Sequence, residues 1–357
     1  MNPIMPSREV LDCFRKGVVI PALPLALDRN RKLDERRQRA LIRYYGAAGA
    51  GGIAVGVHTT QFEIRDAGVD LLPPLLELAR DAIEEVSGKT RKPVVKIAGI
   101  CGKTRQAIAE ARLASSLGYD LGLLSLGAFQ EATEDELIEH CKSVGREIAL
   151  LGFYLQPAVG GTYLPYSFWR RFVEIENVVG IKIAPFSRYQ TIDVVRAIAS
   201  AGREREITLY TGNDDNIIID LLTLYRFKTD DGEKTIRIHG GLLGQWSVWT
   251  RTAVILLEEI HRLVEAGDGI PFEMLTKNAD LTDANAVLFD AANHFAGCIP
   301  GVHEVLRRQG LLEYSHCLNP ALRLSPGQGK ELDRVIQSYS WLPDDAFVQE
   351  HLDEWLQ

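Results

Sequence analysis

The sequence lacks the cysteine and histidine patterns that mark several classes of protein. Its five cysteines are odd in number and widely spaced, and none forms a C-x-x-C pair, so neither a disulfide framework nor a zinc site is indicated. The eight histidines include no H-x-H or H-x-x-x-H pair, the spacings that two metal ligands on one strand or helix would need. We therefore expect no bound metal, and a metal-dependent aldolase is disfavoured.

Long apolar runs and a basic excess are also missing. No segment approaches the length of a membrane span, and the first residues lack the basic-then-apolar layout of a signal peptide. The formal net charge is -8, and the densest basic cluster, at 36–39, lies beside Asp34 and Glu35 as on a solvated helix face. Binding nucleic acid would need a basic stripe. We expect a cytoplasmic protein without nucleic-acid or membrane partners.

What the chain does contain is a regular alternation of strand-like and helix-like segments. Helical spacing of apolar residues is found at 34–48, 71–86, 103–117 and 133–150, and Thr133 and Glu136 have capping-box spacing. Eight strands are predicted at 17–23, 52–57, 93–98, 121–126, 151–155, 178–183, 207–211 and 242–248. Every connection is long enough for a crossover, which predicts a (β/α)8 TIM barrel. The alternative is an open doubly wound sheet, which would usually show a G-x-G-x-x-G turn that residues 20–24 do not have.

Two regions are predicted from this pattern. Residues 1–250 would form the barrel, and 251–357 a barrel-closing helix and a helical C-terminal appendage, with prolines 300, 320 and 326 marking breaks. Residues 225–238 alternate polar and apolar around Asp-Asp-Gly, as in a β-hairpin. We expect this hairpin to be an insertion beside the barrel. Gly240 and Gly241 precede the predicted eighth strand, so a phosphate cradle there is disfavoured.

Lys182 interrupts an otherwise fully apolar strand. The run at 178–183 is rich in β-branched residues and ends before Pro185, the pattern of a strand covered on both faces. A buried lysine either reaches a carboxylate or has a lowered pKa, and the neutral amine is then a Schiff-base nucleophile. The alternative is a lysine whose ammonium reaches water at the strand end. In TIM barrels the carboxyl ends of strands carry catalytic groups, which favours the functional interpretation.

Several short motifs, taken in order, resemble the dihydrodipicolinate synthase and N-acetylneuraminate lyase family of class I aldolases. The resemblance covers nearly the whole chain. It consists of G-[IV]-K at 180–182, a strand-five tyrosine at Tyr154, the threonines Thr59 and Thr60 of a G-T-T-G-E turn, G-x-D-D at 212–215 and G-x-x-S at 244–247. Each motif alone is weak, since a tyrosine or threonine at a strand end is commonly structural. Their shared order and spacing carry the resemblance.

The resemblance implies a mechanism and its residues. Neutral Lys182 would attack the ketone of pyruvate or another 2-oxo acid, Tyr154 would shuttle protons, and Thr60 would complete the relay. Thr59 and Thr60, with the backbone N–H groups of their turn, would hold the substrate carboxylate. Further contacts to the substrate are expected from His58, Phe129, Gln156, Gly212, Asn213 and Trp246. For His58 the alternative is a structural histidine whose ring is hydrogen-bonded within the protein. Because the imine forms on Lys182, no cofactor is implied; the family also implies a homodimer or homotetramer.

Departures from the family pattern bear on the substrate. Val159 stands where the synthases carry an arginine that grips a second carboxylate, so aspartate semialdehyde would lose its partner and true dihydrodipicolinate synthase activity is not expected. Phe129 replaces a tyrosine that reaches a neighbouring subunit. Gln61 and Phe62 replace the Gly-Glu of the strand-two turn. With Trp246, the two phenylalanines would make the mouth of the barrel more aromatic.

We therefore expect a lyase that cleaves or forms a carbon-carbon bond next to a 2-oxo acid carbonyl. The identity of the aldehyde stays open. Phe129 and Trp246 favour an aromatic or apolar aldehyde. A sugar-derived 2-oxo acid is favoured instead by His58, Gln61, Gln156 and Asn213. Dehydration or decarboxylation of a 2-oxo sugar acid through the same imine is an alternative. A non-catalytic binding or regulatory barrel is another, disfavoured because a desolvated lysine would only cost stability.

Overall fold

The computed structural model describes residues 4–357, so the first three residues of the predicted barrel region lie outside it. Eight strands lie in the order β1-β9-β7-β6-β5-β4-β3-β2, and β8 pairs only with β9. The strands are β1 (Val19–Pro21), β2 (Gly52–Val55), β3 (Val95–Ile100), β4 (Leu121–Leu124), β5 (Leu150–Leu155), β6 (Val178–Ala184), β7 (Thr208–Thr211), β8 (Leu224–Thr229) and β9 (Gly232–Leu243). A parallel bridge between Ala22 and Ala54 links the ends of the series. The predicted (β/α)8 TIM barrel is confirmed.

Thirteen α-helices accompany the strands in the described part of the chain. They are α1 (Arg8–Lys16), α2 (Glu35–Ala48), α3 (Leu72–Thr90), α4 (Thr104–Ser116), α5 (Glu134–Gly145), α6 (Tyr166–Phe172), α7 (Arg188–Ala201), α8 (Ile217–Leu222), α9 (Thr250–Ala266), α10 (Phe272–Leu288), α11 (Cys298–Arg308), α12 (Gln328–Ser338) and α13 (Asp345–Trp355). The predicted capping box of α5 is present, with the Thr133 N–H donating to Glu136 at 2.8 Å. The helix predicted to reach residue 150 ends at Gly145.

The predicted hairpin is present, and its second strand continues into the barrel as the eighth barrel strand, which corrects the predicted position of that strand at 242–248. Strand β8 runs antiparallel to the first half of β9, and the second half of β9 pairs in parallel with β7. Strand β8 lies outside the strand order of the barrel and pairs with the extension of β9. The barrel strand ends at Leu243, and Gly240 and Gly241 lie within it. A Cβ at Gly240 would come within 2.6 Å of the Val18 carbonyl oxygen, so this glycine serves close packing.

The chain divides into two compact units, of which the first comprises Met1–Val18 and Val95–Gly241. Helix α1 packs on the inner face of its strands. The ring of Phe14 stacks on that of Tyr210 with centroids 4.5 Å apart, and the Tyr210 hydroxyl donates to the Phe14 carbonyl at 2.7 Å. A Cβ at Gly180 would meet the Phe14 ring at 2.8 Å. An aromatic plug therefore fills the inner space beside β6 and β7.

The second unit comprises Val19–Val94 and Leu242–Gln357. It contains the predicted C-terminal helices, which are tied to α2 by buried polar contacts. The Tyr44 hydroxyl donates to Asp344 at 2.7 Å and accepts from the Thr250 N–H at 2.7 Å. Pro300 is not a break: it lies in the first turn of α11, where a missing N–H costs no intrahelical bond. The domain boundary near residue 250 stays a prediction.

Within residues 4–357, none of the helices combines the length and the apolar character that crossing a membrane would require.

Candidate active site

Lys182 is buried in the first unit, as its strand pattern predicted. All seven residues of β6 are buried, and the lysine keeps 9% of its surface exposed. In the sheet register Lys182 lies between Phe153 of β5 and Tyr210 of β7. Because directly paired residues on parallel strands point to the same face, these three side chains form one layer inside the barrel. The Lys182 Nζ atom lies 4.4 Å from the centroid of the Phe153 ring.

Burial changes the acidity of this lysine. Desolvation lowers the pKa of Lys182 from 10.5 to about 8, and the negative charge of Asp214 acts in the opposite direction. With this pKa, roughly a tenth of the lysine is neutral at pH 7, against well under a thousandth for an ordinary lysine. The site therefore supplies a usable amine nucleophile at physiological pH.

Gly212 leaves the space that Lys182 occupies. A Cβ at this position would lie 2.6 Å from the Lys182 Cε atom and 2.8 Å from the Ala184 Cβ atom. Its backbone N–H donates to the Ile183 carbonyl at 2.7 Å, directly after strand β7. The glycine is needed here for space around the lysine.

Asn213 was predicted to bind substrate, but its amide is engaged by the protein. Its Nδ2 donates to Thr191 at 3.2 Å and to Asp220 at 2.9 Å. Its Oδ1 accepts from the Phe186 N–H at 3.0 Å. Phe186 has a left-handed backbone with φ of 53°, so the amide holds a strained residue shortly after the lysine strand. In this structure Asn213 positions the loop that follows β6.

Asp220, which was not among the predicted site residues, is the centre of this network. It is 1% exposed and accepts from the Thr211 hydroxyl at 2.8 Å and from Asn216 at 3.0 Å. Arg188 pairs with its other side. Buried carboxylates persist when their lone pairs are satisfied in this way. The network fixes the turn at 211–216, which contains Asp214.

Tyr154 is not brought to Lys182 as the resemblance implied. It lies on the opposite face of β5 from Phe153, with its ring 5.3 Å from that of Trp169 in α6. Its hydroxyl accepts from the Leu164 N–H at 3.2 Å. Burial raises the pKa of the Tyr154 hydroxyl to about 12. The tyrosine therefore packs between the sheet and the helix layer.

A bulge explains which residue of β5 faces the lysine. Leu150 pairs with Val178, but Leu151 pairs with Gly180, so β6 carries one extra residue at this point. Beyond this point each residue of β5 pairs with a residue of β6 one position later than the unshifted register would give. Without it Tyr154 would pair with Lys182; with it, Phe153 does.

Gln156 and Val159 lie in the loop that follows β5. The Gln156 N–H donates to the Ala184 carbonyl at 3.0 Å, and its own carbonyl accepts from Gly161 at 3.0 Å. Val159 ends a 3₁₀ turn (Pro157–Val159) and is partly exposed. The loop is thus anchored at the carboxyl ends of β5 and β6, and Val159 offers no charge at the position where arginine was expected.

Phe129 lies in a separate cavity of about 500 Å³ in the first unit. Its ring packs 4.5 Å from that of His140 and 4.4 Å from the Nζ atom of Lys103. The described residues that line the cavity do not include Lys182. The structure therefore places Phe129 against His140 of α5 and against Lys103, which precedes α4.

In the second unit, Thr59 and Thr60 hold the turn after β2. The Thr59 hydroxyl donates to the Ala22 carbonyl at 2.7 Å, which also accepts from Ser247 at 2.6 Å. The Thr60 hydroxyl donates to the Leu23 carbonyl at 2.7 Å and accepts from the Gly56 N–H at 3.1 Å. Both hydroxyls therefore fix the backbone of their turn.

His58, Gln61 and Trp246 are in the same unit. His58 opens the 3₁₀ turn His58–Thr60, with its ring 5.9 Å from that of Phe62. Gln61 has a φ of 69°, the conformation that favours the glycine of the family pattern. Its Oε1 accepts from the Leu318 N–H at 2.6 Å. Within the described residues, Gln61 Nε2 and Trp246 Nε1 are buried without a hydrogen-bond partner.

A (β/α)8 barrel with a desolvated lysine near the carboxyl end of its sixth strand has the architecture of the imine-forming class I aldolases. The model of the Dihydrodipicolinate synthetase family matches residues 15–339. The chain therefore belongs to this family, and with it to the lyases of the Schiff-base-forming type.

Curated relatives are similar at low identity. The 4-hydroxy-tetrahydrodipicolinate synthase of Azoarcus sp. (strain BH72) is 29% identical over 295 residues, which cover 82% of this chain and 88% of the relative. That of Campylobacter concisus (strain 13826) is 26% identical over 315 residues, covering 87% and 93%. The chain is a divergent member of its family.

Solved structures show the same fold. Dihydrodipicolinate synthase from Acinetobacter baumannii, complexed with pyruvate, matches with a TM-score of 0.72 and 19% identity, covering 91% of this chain and 99% of that one. N-acetylneuraminate lyase from Fusobacterium nucleatum matches with a TM-score of 0.68 and 15% identity, covering 91% and 99%. At these sequence identities the structural similarity supports the barrel fold alone.

Proposed function

We propose that this protein cleaves or forms a carbon-carbon bond next to the carbonyl of a 2-oxo acid, through an imine on Lys182. The observation that carries the proposal is the burial of this lysine on the inner face of β6, with its pKa lowered to about 8. The family membership supports the same chemistry. The covalent imine takes the place of a cofactor.

The reaction balances with this one nucleophile. The neutral Lys182 amine adds to the ketone carbon, and the resulting carbinolamine loses water to give an iminium. In the cleavage direction, the bond that breaks joins the carbon next to the iminium carbon to the hydroxyl-bearing carbon beyond it. The hydroxyl gives up its proton as its carbon leaves as the aldehyde, the electron pair of the broken bond becomes the carbon-carbon double bond of the enamine, and the iminium pair passes to the nitrogen. Protonation of the enamine carbon and hydrolysis of the iminium release the 2-oxo acid and restore the amine.

Supporting roles are proposed from the resemblance. Thr59, Thr60 and the backbone of their turn would bind the carboxylate of the 2-oxo acid. The carboxylate of Asp214 would balance the positive charge on Lys182. A proton-shuttle role for Tyr154 and a relay role for Thr60 stay predictions, because their hydroxyls contact backbone groups in this structure.

For the substrates, we propose a 2-oxo acid of the pyruvate type and an aldehyde. Val159 supports an aldehyde without a distal carboxylate, and thus an activity other than dihydrodipicolinate synthesis. Whether the aldehyde is aromatic or sugar-derived stays open. We also propose a cytoplasmic homodimer or homotetramer, on the strength of the family resemblance.

The test is reductive trapping. Incubation with pyruvate and borohydride should attach a three-carbon adduct to Lys182 alone, located by peptide mass spectrometry. Lys182→Ala should abolish labelling and turnover. Lys103→Ala is the matched control, since Lys103 also lies 4.4 Å from a phenylalanine ring but is exposed. An adduct on Lys103, or turnover by Lys182→Ala, would contradict the proposal; product identification separates bond cleavage from dehydration or decarboxylation.

A further inference from the structure

The position beside the lysine nitrogen is occupied by an aromatic ring. We propose that the Phe153 ring is a catalytic group that stabilises the positive charge on the Lys182 nitrogen, first as ammonium and then as iminium. The catalytic part of this inference rests on the proposed function. The contact itself does not, because it concerns the unreacted lysine.

The geometry favours a strong interaction. The ring centroid lies 4.4 Å from Nζ, well within the range of a cation–π contact. Phe153 is 6% exposed, and desolvated pairs of this kind are the strongest. The bulge between β5 and β6 fixes the pairing of Phe153 with Lys182 in the sheet register, so the contact is built into the backbone.

The other neighbours of Lys182 do not replace the ring. Tyr210, on the opposite side in β7, donates its hydroxyl to the Phe14 carbonyl and accepts from the Val18 N–H. Burial keeps the pKa of Tyr210 well above its ordinary value, so it is neutral. Among the described residues, the charged group that acts on Lys182 is Asp214. The cation therefore has one carboxylate and one ring face as its electrostatic partners.

The effect on the reaction follows from the charge distribution of the phenyl ring. The face of a phenyl ring is negative, so it favours ammonium over neutral amine and iminium over the uncharged carbinolamine. The ring has no ionisable proton to donate. It therefore stabilises the cation that draws electrons from the breaking bond, while proton transfer falls to another group.

Two ring-free variants and one conservative variant test this. Phe153→Leu and Phe153→Met remove the ring, and Met supplies a second apolar replacement if Leu folds poorly; Phe153→Tyr keeps the ring face. The matched control is Phe172→Leu, which removes an equally buried ring from the helix-facing side of β5, against Gly152. Urea denaturation checks that each variant is folded.

Two measurements are made on each variant. The first is the pH midpoint for reductive methylation of Lys182 by formaldehyde and cyanoborohydride, read by mass spectrometry. We expect it to fall by roughly one pH unit without the ring, and to stay in place in Phe153→Tyr and Phe172→Leu. The second is turnover at saturating substrate, expected to fall roughly five- to thirtyfold without the ring.

The outcomes separate the two levels of the inference. An unchanged midpoint in folded Phe153→Leu and Phe153→Met would overturn the contact. If the midpoint shifts in the ring-free variants but their turnover is unchanged, the catalytic role of Phe153 is overturned. Full turnover by these variants, alongside a hundredfold loss of turnover in Tyr154→Phe, would overturn it as well. A shifted midpoint in a protein that forms no imine with any 2-oxo acid would contradict the proposed function while confirming the Phe153–Lys182 contact.

Discussion

Gly212→Ala would test the space around Lys182 without changing any polar group. The added Cβ would lie 2.6 Å from the lysine Cε and 2.8 Å from the Ala184 Cβ, whereas ordinary carbon contacts lie at about 3.5–4.0 Å. Something must move by roughly 1 Å. Since Ala184 is part of the strand, we expect the lysine side chain to give way, at a cost of about 1–3 kcal/mol for overpacking.

Displacement of the nucleophile by about 1 Å is expected to slow reaction by roughly a hundredfold. The assay is the rate of borohydride-trapped adduct formation with pyruvate, alongside urea denaturation to measure the free energy of unfolding. Gly152→Ala is the matched control: its Cβ would lie 2.6 Å from the Phe172 ring, on the other face of the sheet. It should be similarly destabilised but keep a trapping rate within about threefold of the unaltered protein. A Gly212→Ala protein with unaltered trapping and stability would refute the described packing around Lys182.

Two further predictions concern buried charge. Burial lowers the pKa of Lys182 from 10.5 to about 8, so between these pH values the unfolded chain binds more protons than the native protein. This lysine therefore makes the free energy of unfolding rise with pH across that window. Lys182→Met should lose the rise, which is measured by urea unfolding of both proteins at pH 7.5 and 10. Asp220→Ala leaves the Thr211 hydroxyl and the Asn213 amide without their buried acceptor, so we expect a loss of about 3 kcal/mol in urea denaturation, with a loss under about 1 kcal/mol contradicting the network.

The barrel was predictable because the sequence patterns that indicate it are local and are repeated in each strand and helix. Each strand is a short apolar run, and each helix has its own periodicity or cap, as at Thr133, so errors in single boundaries do not change the fold class. The eighth strand was predicted to begin after Gly240 and Gly241, whereas both glycines lie within it. The nearby Val18 carbonyl explains the glycine at position 240. This contact joins residues far apart in sequence, so no local pattern reveals it.

The site was predictable at Lys182 and less so around it. A charged residue inside an apolar strand stands out, because burial of charge needs a reason. The face on which Tyr154 and Phe153 lie does not stand out, because both faces of a barrel strand are apolar and periodicity carries no information there. That choice depends on the bulge in β6. Asp220 could have been noticed as an acidic residue in the apolar run at 217–222, but its partners come from other elements.

The composition of the second unit has a consequence for how the protein is made. Helix α2 emerges from the ribosome early, yet its Tyr44 bonds to Asp344 and its Arg43 donates to the Trp355 carbonyl. About 260 residues separate Val94 from Trp355, which at roughly 5–20 residues per second is a wait on the order of 10 to 50 seconds. During this interval the first unit's residues are completed while the apolar face of α2 lacks its final cover. Residues 35–48 therefore gain their contacts with Asp344 and with α13 only after nearly the whole chain has been synthesised.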